Sequence, residues 1–182
     1  MKSPLRREGF TIVELLIVIV VIGILAAITI VAYNGIQQRG RDAQRESDIS
    51  TIVKALEMYF AENGSFPSSV CSLGAGCKIN SGWVTTSDGT WSVLESQLVP
   101  KYLSSLPKDP QFSTSTSPAI QGGYNYDFLN YSSASLCNAS PSKPFFLLAY
   151  RLESGAQKRK IIGDCPGTQP TDYASSEYIL VK

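Results

Sequence analysis

A chain of 182 residues with a formal net charge of +1, 43% hydrophobic residues and no histidine has room for one modest core beside a separate segment, but not for two large domains. The near-zero charge argues against a broad polyanion-binding surface. Without histidine, a Gly-x-Ser-x-Gly elbow or a phosphate-binding glycine loop, catalysis has no support in the residues.

The first element is a short charged leader, with Lys2, Arg6, Arg7 and Glu8, that meets a long apolar run. From Phe10 to Ala32 the only charge is Glu14. At about 1.5 Å per residue this stretch reaches about 34 Å, enough for a hydrocarbon core of about 30 Å with some tilt. A secretory signal has an apolar region of only about 7–15 residues before its cleavage site. Ala26-Ala27-Ile28 imitates such a site, but the run continues past it, so a membrane-spanning helix is expected. Lys2, Arg6 and Arg7 before the run balance Arg39, Arg41 and Arg45 after it, and the positive-inside rule does not decide orientation. The cysteines do: Cys71, Cys77, Cys137 and Cys165 all follow the run, which points to an oxidising compartment on that side and to an N-in, single-pass topology. Zinc is the competing use, but there is neither histidine nor a Cys-x-x-Cys pair, and two disulfides are expected.

Beyond Tyr33-Asn34-Gly35 apolar residues recur at Ile36, Ala43, Ile49, Ile52, Val53, Leu56, Tyr59 and Phe60, while Arg39, Arg41, Asp42, Arg45, Glu46, Asp48 and Glu57 are expected on the opposite faces. The pattern predicts one long helix over residues 10–63, about 80 Å, stopped at Asn63-Gly64. Its first half is apolar all round and needs lipid or other copies around it; its second half has one stripe for a folded domain. Gly23, Gly35 and Gly40 are local weak points.

Residues 64–182 change character, with short apolar stretches between turn signals rich in Ser, Thr, Gly and Pro. One α+β domain with a small antiparallel sheet is expected. Trp91–Leu98 reads as a short helix extended by Pro100–Leu103, and residues 124–129, 145–152, 160–163 and 177–181 read as strands. Glu153-Ser154-Gly155-Ala156 is expected to join the two middle strands as a hairpin. The sheet should pack on the helix face carrying Ile52, Val53, Leu56, Tyr59 and Phe60. The four cysteines allow three connectivities, with Cys71 and Cys77 placed to close a local loop.

The string Gly9-Phe10-Thr11-Ile12-Val13-Glu14-Leu15, between a basic leader and an unbroken apolar helix, resembles the class III signal of type IV prepilins and pseudopilins. Glu62-Asn63-Gly64-Ser65-Phe66-Pro67 and Leu103-Ser104-Ser105-Leu106-Pro107-Lys108-Asp109-Pro110, followed by Tyr124-Asn125-Tyr126, are similar to the turn ending the long helix and to the segment leading into the sheet in that family. The resemblance implies a type IV pilin fold: a leader over 1–9, a long helix over 10–63 whose 10–32 half forms the membrane span and filament core, and a globular head over 64–182. It also implies cleavage between Gly9 and Phe10 by a prepilin peptidase and methylation of the new amine. The precursor would lie in the cytoplasmic membrane and reach an extracellular filament through an inner-membrane assembly platform. Glu14 would then neutralise the Phe10 amine of a neighbouring subunit, and a Cys137–Cys165 bond would enclose the C-terminal hairpin. The function so implied is that of a structural subunit of a type IV pilus-like helical homopolymer, not an enzyme. The alternative is a pseudopilin of a type II secretion or competence system, or a DNA-binding or adhesive minor pilin. Unlike many pilins, the chain has no proline between Gly23 and Ala32.

No cofactor is implied. Major pseudopilins often bind calcium after an Asp-Pro step, but here Gln111–Pro118 intervenes, and no metal ligands are assigned; Asp88, Asp109 and Asp127 are read as available, scattered carboxylates. For DNA, Lys158-Arg159-Lys160 beside Arg151 is the concentrated basic feature, with Tyr124, Tyr126, Tyr131 and Tyr150 available for stacking. This footprint is small, and the leader holds three basic residues and one acid, so the chain after Gly9 carries a formal charge of about −1.

Overall fold

A computed structural model describes residues 9–69, 82–115, 117–119, 122–131, 144–154, 160–161 and 177–181. The chain divides into two compact units, Met1–Gly40 and Arg41–Lys182. Its elements are helix α1 (Ile12–Asn63), strand β1 (Val84–Thr85), helix α2 (Trp91–Leu98) and strands β2 (Asp127–Tyr131), β3 (Phe145–Tyr150), β4 (Lys160–Ile161) and β5 (Glu177–Val181).

In the first unit α1 has no tertiary cover. Every residue from Gly9 to Ile30 is exposed, so the chain itself provides no cover for this apolar surface. The helix is long and apolar enough to cross a membrane. Thr29 does not interrupt it, because its hydroxyl donates to the Leu25 carbonyl at 2.7 Å and leaves no unsatisfied group on the apolar surface.

In the second unit the sheet order is β1-β2-β3-β5-β4. Neighbouring pairs are antiparallel except β4 with β5, which is parallel. Phe128 and Leu148 face each other across β2 and β3, and Leu148 in turn faces Ile179 of β5. Alternate residues of β3, Phe146, Leu148 and Tyr150, join Ile49, Ile52, Val53 and Leu56 of α1, Trp91, Leu94 and Leu98 of α2, and Tyr126 and Phe128 in one core. Phe145, Leu147 and Ala149 on the other face of β3 are also buried. This central strand is therefore covered on both sides, which explains its continuous apolar sequence. Each fully buried aliphatic side chain contributes about 1.5–3 kcal/mol.

α1 ends where Gly64 takes φ +70° and its N–H donates to the Phe60 carbonyl at 2.8 Å, a left-handed stop that suits glycine. Phe66 then stacks on Phe60, with centroids 4.7 Å apart, and packs edge-on to Phe146, so the turn returns the chain to the core. Gln97 fastens the next residues to α2 by accepting the Ser68 N–H at 2.7 Å and donating to the Ser68 carbonyl at 2.9 Å.

Two expectations are corrected. β3 and β4 do not form a hairpin: β5 lies between them, because the last strand of the chain supplies the longer apolar partner for β3 and leaves two-residue β4 at the edge. The helix faces are also redistributed. Ile36 and Ala43 are exposed, whereas Asp42 and Arg45 are buried on the same stripe as Ile49, Ile52 and Leu56. Short β1, which pairs Val84 with Phe128, was not anticipated.

Candidate assembly site

The first helical turn holds the residues singled out by the sequence. Gly9 and Phe10 precede the helix, Phe10 is 91% exposed, and Thr11 stands at the N-cap position. The Thr11 N–H and hydroxyl both donate to Glu14 Oε2, at 2.8 and 2.7 Å, and the Glu14 N–H donates to Thr11 Oγ1 at 3.2 Å. This is a reciprocal capping box, in which a side chain at each end satisfies a backbone donor that the helix leaves open. Such a cap contributes about 1 kcal/mol. The Glu14 carboxylate is thus held at the positive end of the helix, facing back toward the residues that precede it. Thr11 was not assigned a role from the sequence, although Thr-x-x-Glu before an apolar run is the signature of this cap.

A second concentration of charge lies in the other unit, and it too was missed. Arg45 is 0% exposed and grips Asp109 with two bonds, Nε to Oδ2 at 2.7 Å and Nη2 to Oδ1 at 3.0 Å. It also donates to Asp42 at 2.8 Å, Glu153 at 2.7 Å and Gln111 at 3.1 Å, with its guanidinium 4.9 Å from the Tyr124 ring centre. Arg41 adds a fork on Glu153, and Asp42 accepts the backbone N–H groups of Glu153 and Ser154 at 2.9 and 3.0 Å. Burial pushes the Arg45 pKa down, but its bonds to Asp109 and Glu153 more than reverse this and raise it above its ordinary value. The Arg41 bond holds the Glu153 carboxyl below its ordinary value; burial raises Asp42, and the two backbone donors outweigh it and leave that carboxyl lowered too. Nearby, Asp48 accepts the Tyr126 hydroxyl at 3.0 Å, and burial pushes both of these groups up. The spacing 42, 45, 49, 52, 56 was the available signal, since it continues the apolar stripe with a heptad rhythm into charged residues.

Asp109 is consequently not an available carboxylate. Asp88 is occupied as well, accepting the Thr90 N–H at 3.0 Å and its hydroxyl at 2.6 Å just before α2, and Asp127 is buried in β2. Among the described residues no three metal-ligating side chains converge. Among the described side chains the aromatic half of a DNA site is not assembled either: Tyr126 and Tyr150 are core residues, and Tyr124 lies against Arg45 and Arg151. Arg151 donates to the Gly122 carbonyl. The leader residues 1–8, Cys71, Cys77, Cys137, Cys165, Lys158 and Arg159 lie outside the described residues.

Residues 5–30 match the family model described as the prokaryotic N-terminal methylation motif. The chain is 28% identical over 119 residues to type II secretion system core protein G of Escherichia coli, covering 60% of this chain and 70% of that protein. It is 34% identical over 67 residues to core protein G of Pectobacterium carotovorum, covering 37% of this chain and 43% of that protein. A third relative is the type IV major pilin protein PilA of Myxococcus xanthus, 34% identical over 61 residues, covering 34% of this chain and 28% of that protein. No solved structure matches. With a methylation motif that covers the capped first turn, relatives of both kinds, and a long apolar helix leading into a small sheet, the chain is similar to the type IV pilins and pseudopilins, which are structural proteins and not enzymes.

Proposed function

We propose that the chain is a pseudopilin-type subunit of a helical filament, made as an N-in precursor in the cytoplasmic membrane and cut between Gly9 and Phe10 by a prepilin peptidase. After cleavage the helix from Phe10 stays in the bilayer until an inner-membrane assembly platform moves it into the filament. There its apolar side chains pack against other copies. Glu14 sets register by pairing with the Phe10 amine of a neighbour, and the unit from Arg41 onward forms the outer surface. The cysteine pairs Cys71–Cys77 and Cys137–Cys165 would stabilise that surface in an oxidising compartment; a loop of the second size is worth about 3–4 kcal/mol.

One observation carries the pseudopilin form: similarity to core protein G runs through 60% of the chain, well beyond the N-terminal helix. The chain spans less than half the length of several other relatives of that name, so secretion as the activity served is part of the proposal. A type IV pilus subunit, the first expectation from the sequence, is the second reading, supported by similarity to the M. xanthus pilin over 61 residues, 34% of the chain.

Mass spectrometry of protein extracted from membranes tests processing. A mature chain starting at methylated Phe10 is expected, and a chain still starting at Met1 or cut near Ala27 would refute the proposal. Glu14→Ala should leave cleavage intact and abolish filaments; normal filaments from it would remove the assigned role. Deleting the gene distinguishes the two forms, because loss of secreted proteins without loss of surface fibres is expected of a pseudopilin and the reverse of a pilin.

A further inference from the structure

We propose that the Arg45 cluster is a clasp of segments 107–111 and 151–154 on the helix turn at 41–45, which closes last as the second unit folds and in acid opens first, releasing 151–154 while β2 and β3 remain paired. The partners of Arg45 are far apart in sequence: Asp109 is 64 residues away and Glu153 is 108. A guanidinium buried with only part of its acceptor set leaves an uncompensated charge in a dry site, which is strongly unfavourable. Arg45 can therefore be covered only when both segments have arrived. The apolar contacts of Ile52, Leu56, Phe128, Phe146 and Leu148 carry no such condition and can form earlier.

Acid acts on the same groups. The cluster and its surroundings contain Arg41, Asp42, Arg45 and Asp48 from α1, Asp109 and Gln111 from the following segment, Tyr124 and Tyr126 before β2, and Arg151 and Glu153 after β3. Glu153 and Asp42 have depressed values, so their contribution is complete above the ordinary 4.5 and 3.8 and is lost as pH falls through the lowered values. Asp48 has the opposite sign. Its carboxyl is pushed up by burial, so taking a proton in mild acid favours the folded form and supports the Tyr126 side of the core. The groups whose stabilising contribution acid removes, Asp42 and Glu153, both hold the one loop at 151–154.

Amide hydrogen exchange of the full chain in detergent micelles tests this directly. From pH 7 to pH 3 the protection factors of the Glu153 and Ser154 amides, which donate to Asp42, should fall by about tenfold or more, with Leu147 and Leu148 of β3 still protected. Asp42→Asn should show the same local loss already at pH 7. Equal protection of loop and strand at pH 3, their simultaneous loss, or full protection of the loop in Asp42→Asn would overturn the acid half. In refolding kinetics Glu153→Gln should speed unfolding and leave the folding rate unchanged. A proportionate slowing of folding would place the clasp in the early nucleus and overturn the order proposed.

Discussion

The two parts of α1 are helical for different physical reasons. From Ile12 to Ile30 the side chains are apolar, exposed and held only by the local ladder and the Thr11–Glu14 cap. From Asp42 to Leu56 one stripe is buried by the sheet, α2 and a set of buried ions. The first stretch is stable only where water is absent, whereas the second carries its own interior. The filament role proposed above would use both, the first stretch because it has no fixed tertiary partner and the second because it carries a core of its own.

The strongest way to break this contrast is Arg45→Ala. It leaves Asp42, Asp109 and Glu153 facing one another without their shared cation, and the second unit should lose about 3–5 kcal/mol, read as a large drop in its thermal midpoint. Membrane insertion should be unaffected. Ile19→Lys makes the converse change at an exposed position of the first unit: insertion should become less favourable by about 2.5–3.5 kcal/mol, seen as a reduced membrane-integrated fraction, with no change in the melting of the second unit. The smallest effect is expected at the exposed Lys101–Glu62 pair, which also involves the Tyr102 hydroxyl. Water and salt screen this pair, so Lys101→Ala should leave the thermal midpoint within error. A measurable drop there would mean that exposed and buried charge are not as different in this unit as their surroundings indicate.

Local signals were the legible ones. The helix stop at Asn63-Gly64, helix α2 over Trp91–Leu98 and strand β5 over Glu177–Val181 follow from a left-handed glycine, a short apolar repeat and a bounded apolar strand. The methylation motif was legible from Gly9 to Leu15, and the match over residues 5–30 falls on that string. Strand order was not legible, since nothing near Glu153-Ser154 indicates that β5 will enter between β3 and β4. Asp42 and Arg45 were assigned to solvent because the polarity of one residue is visible in sequence, while its neutralisation by Asp109 and Glu153 is a property of the fold. The stacking role considered for Tyr126 and Tyr150 failed for the same reason, as both rings are consumed by the core.

The stop of α1 also bears on how the protein ages. Asn-Gly is the dipeptide most prone to spontaneous deamidation, in which the glycine nitrogen attacks the asparagine side-chain carbon to form a succinimide. Here the Gly64 nitrogen is committed to the Phe60 carbonyl, and the Asn63 amide donates to the Tyr59 carbonyl at 2.8 Å and the Tyr102 hydroxyl at 3.2 Å. Nucleophile and leaving group are both restrained by bonds that serve to terminate the helix. The same turn that fixes the fold therefore slows deamidation at one of the chain's two Asn-Gly steps, Asn34-Gly35 being the other.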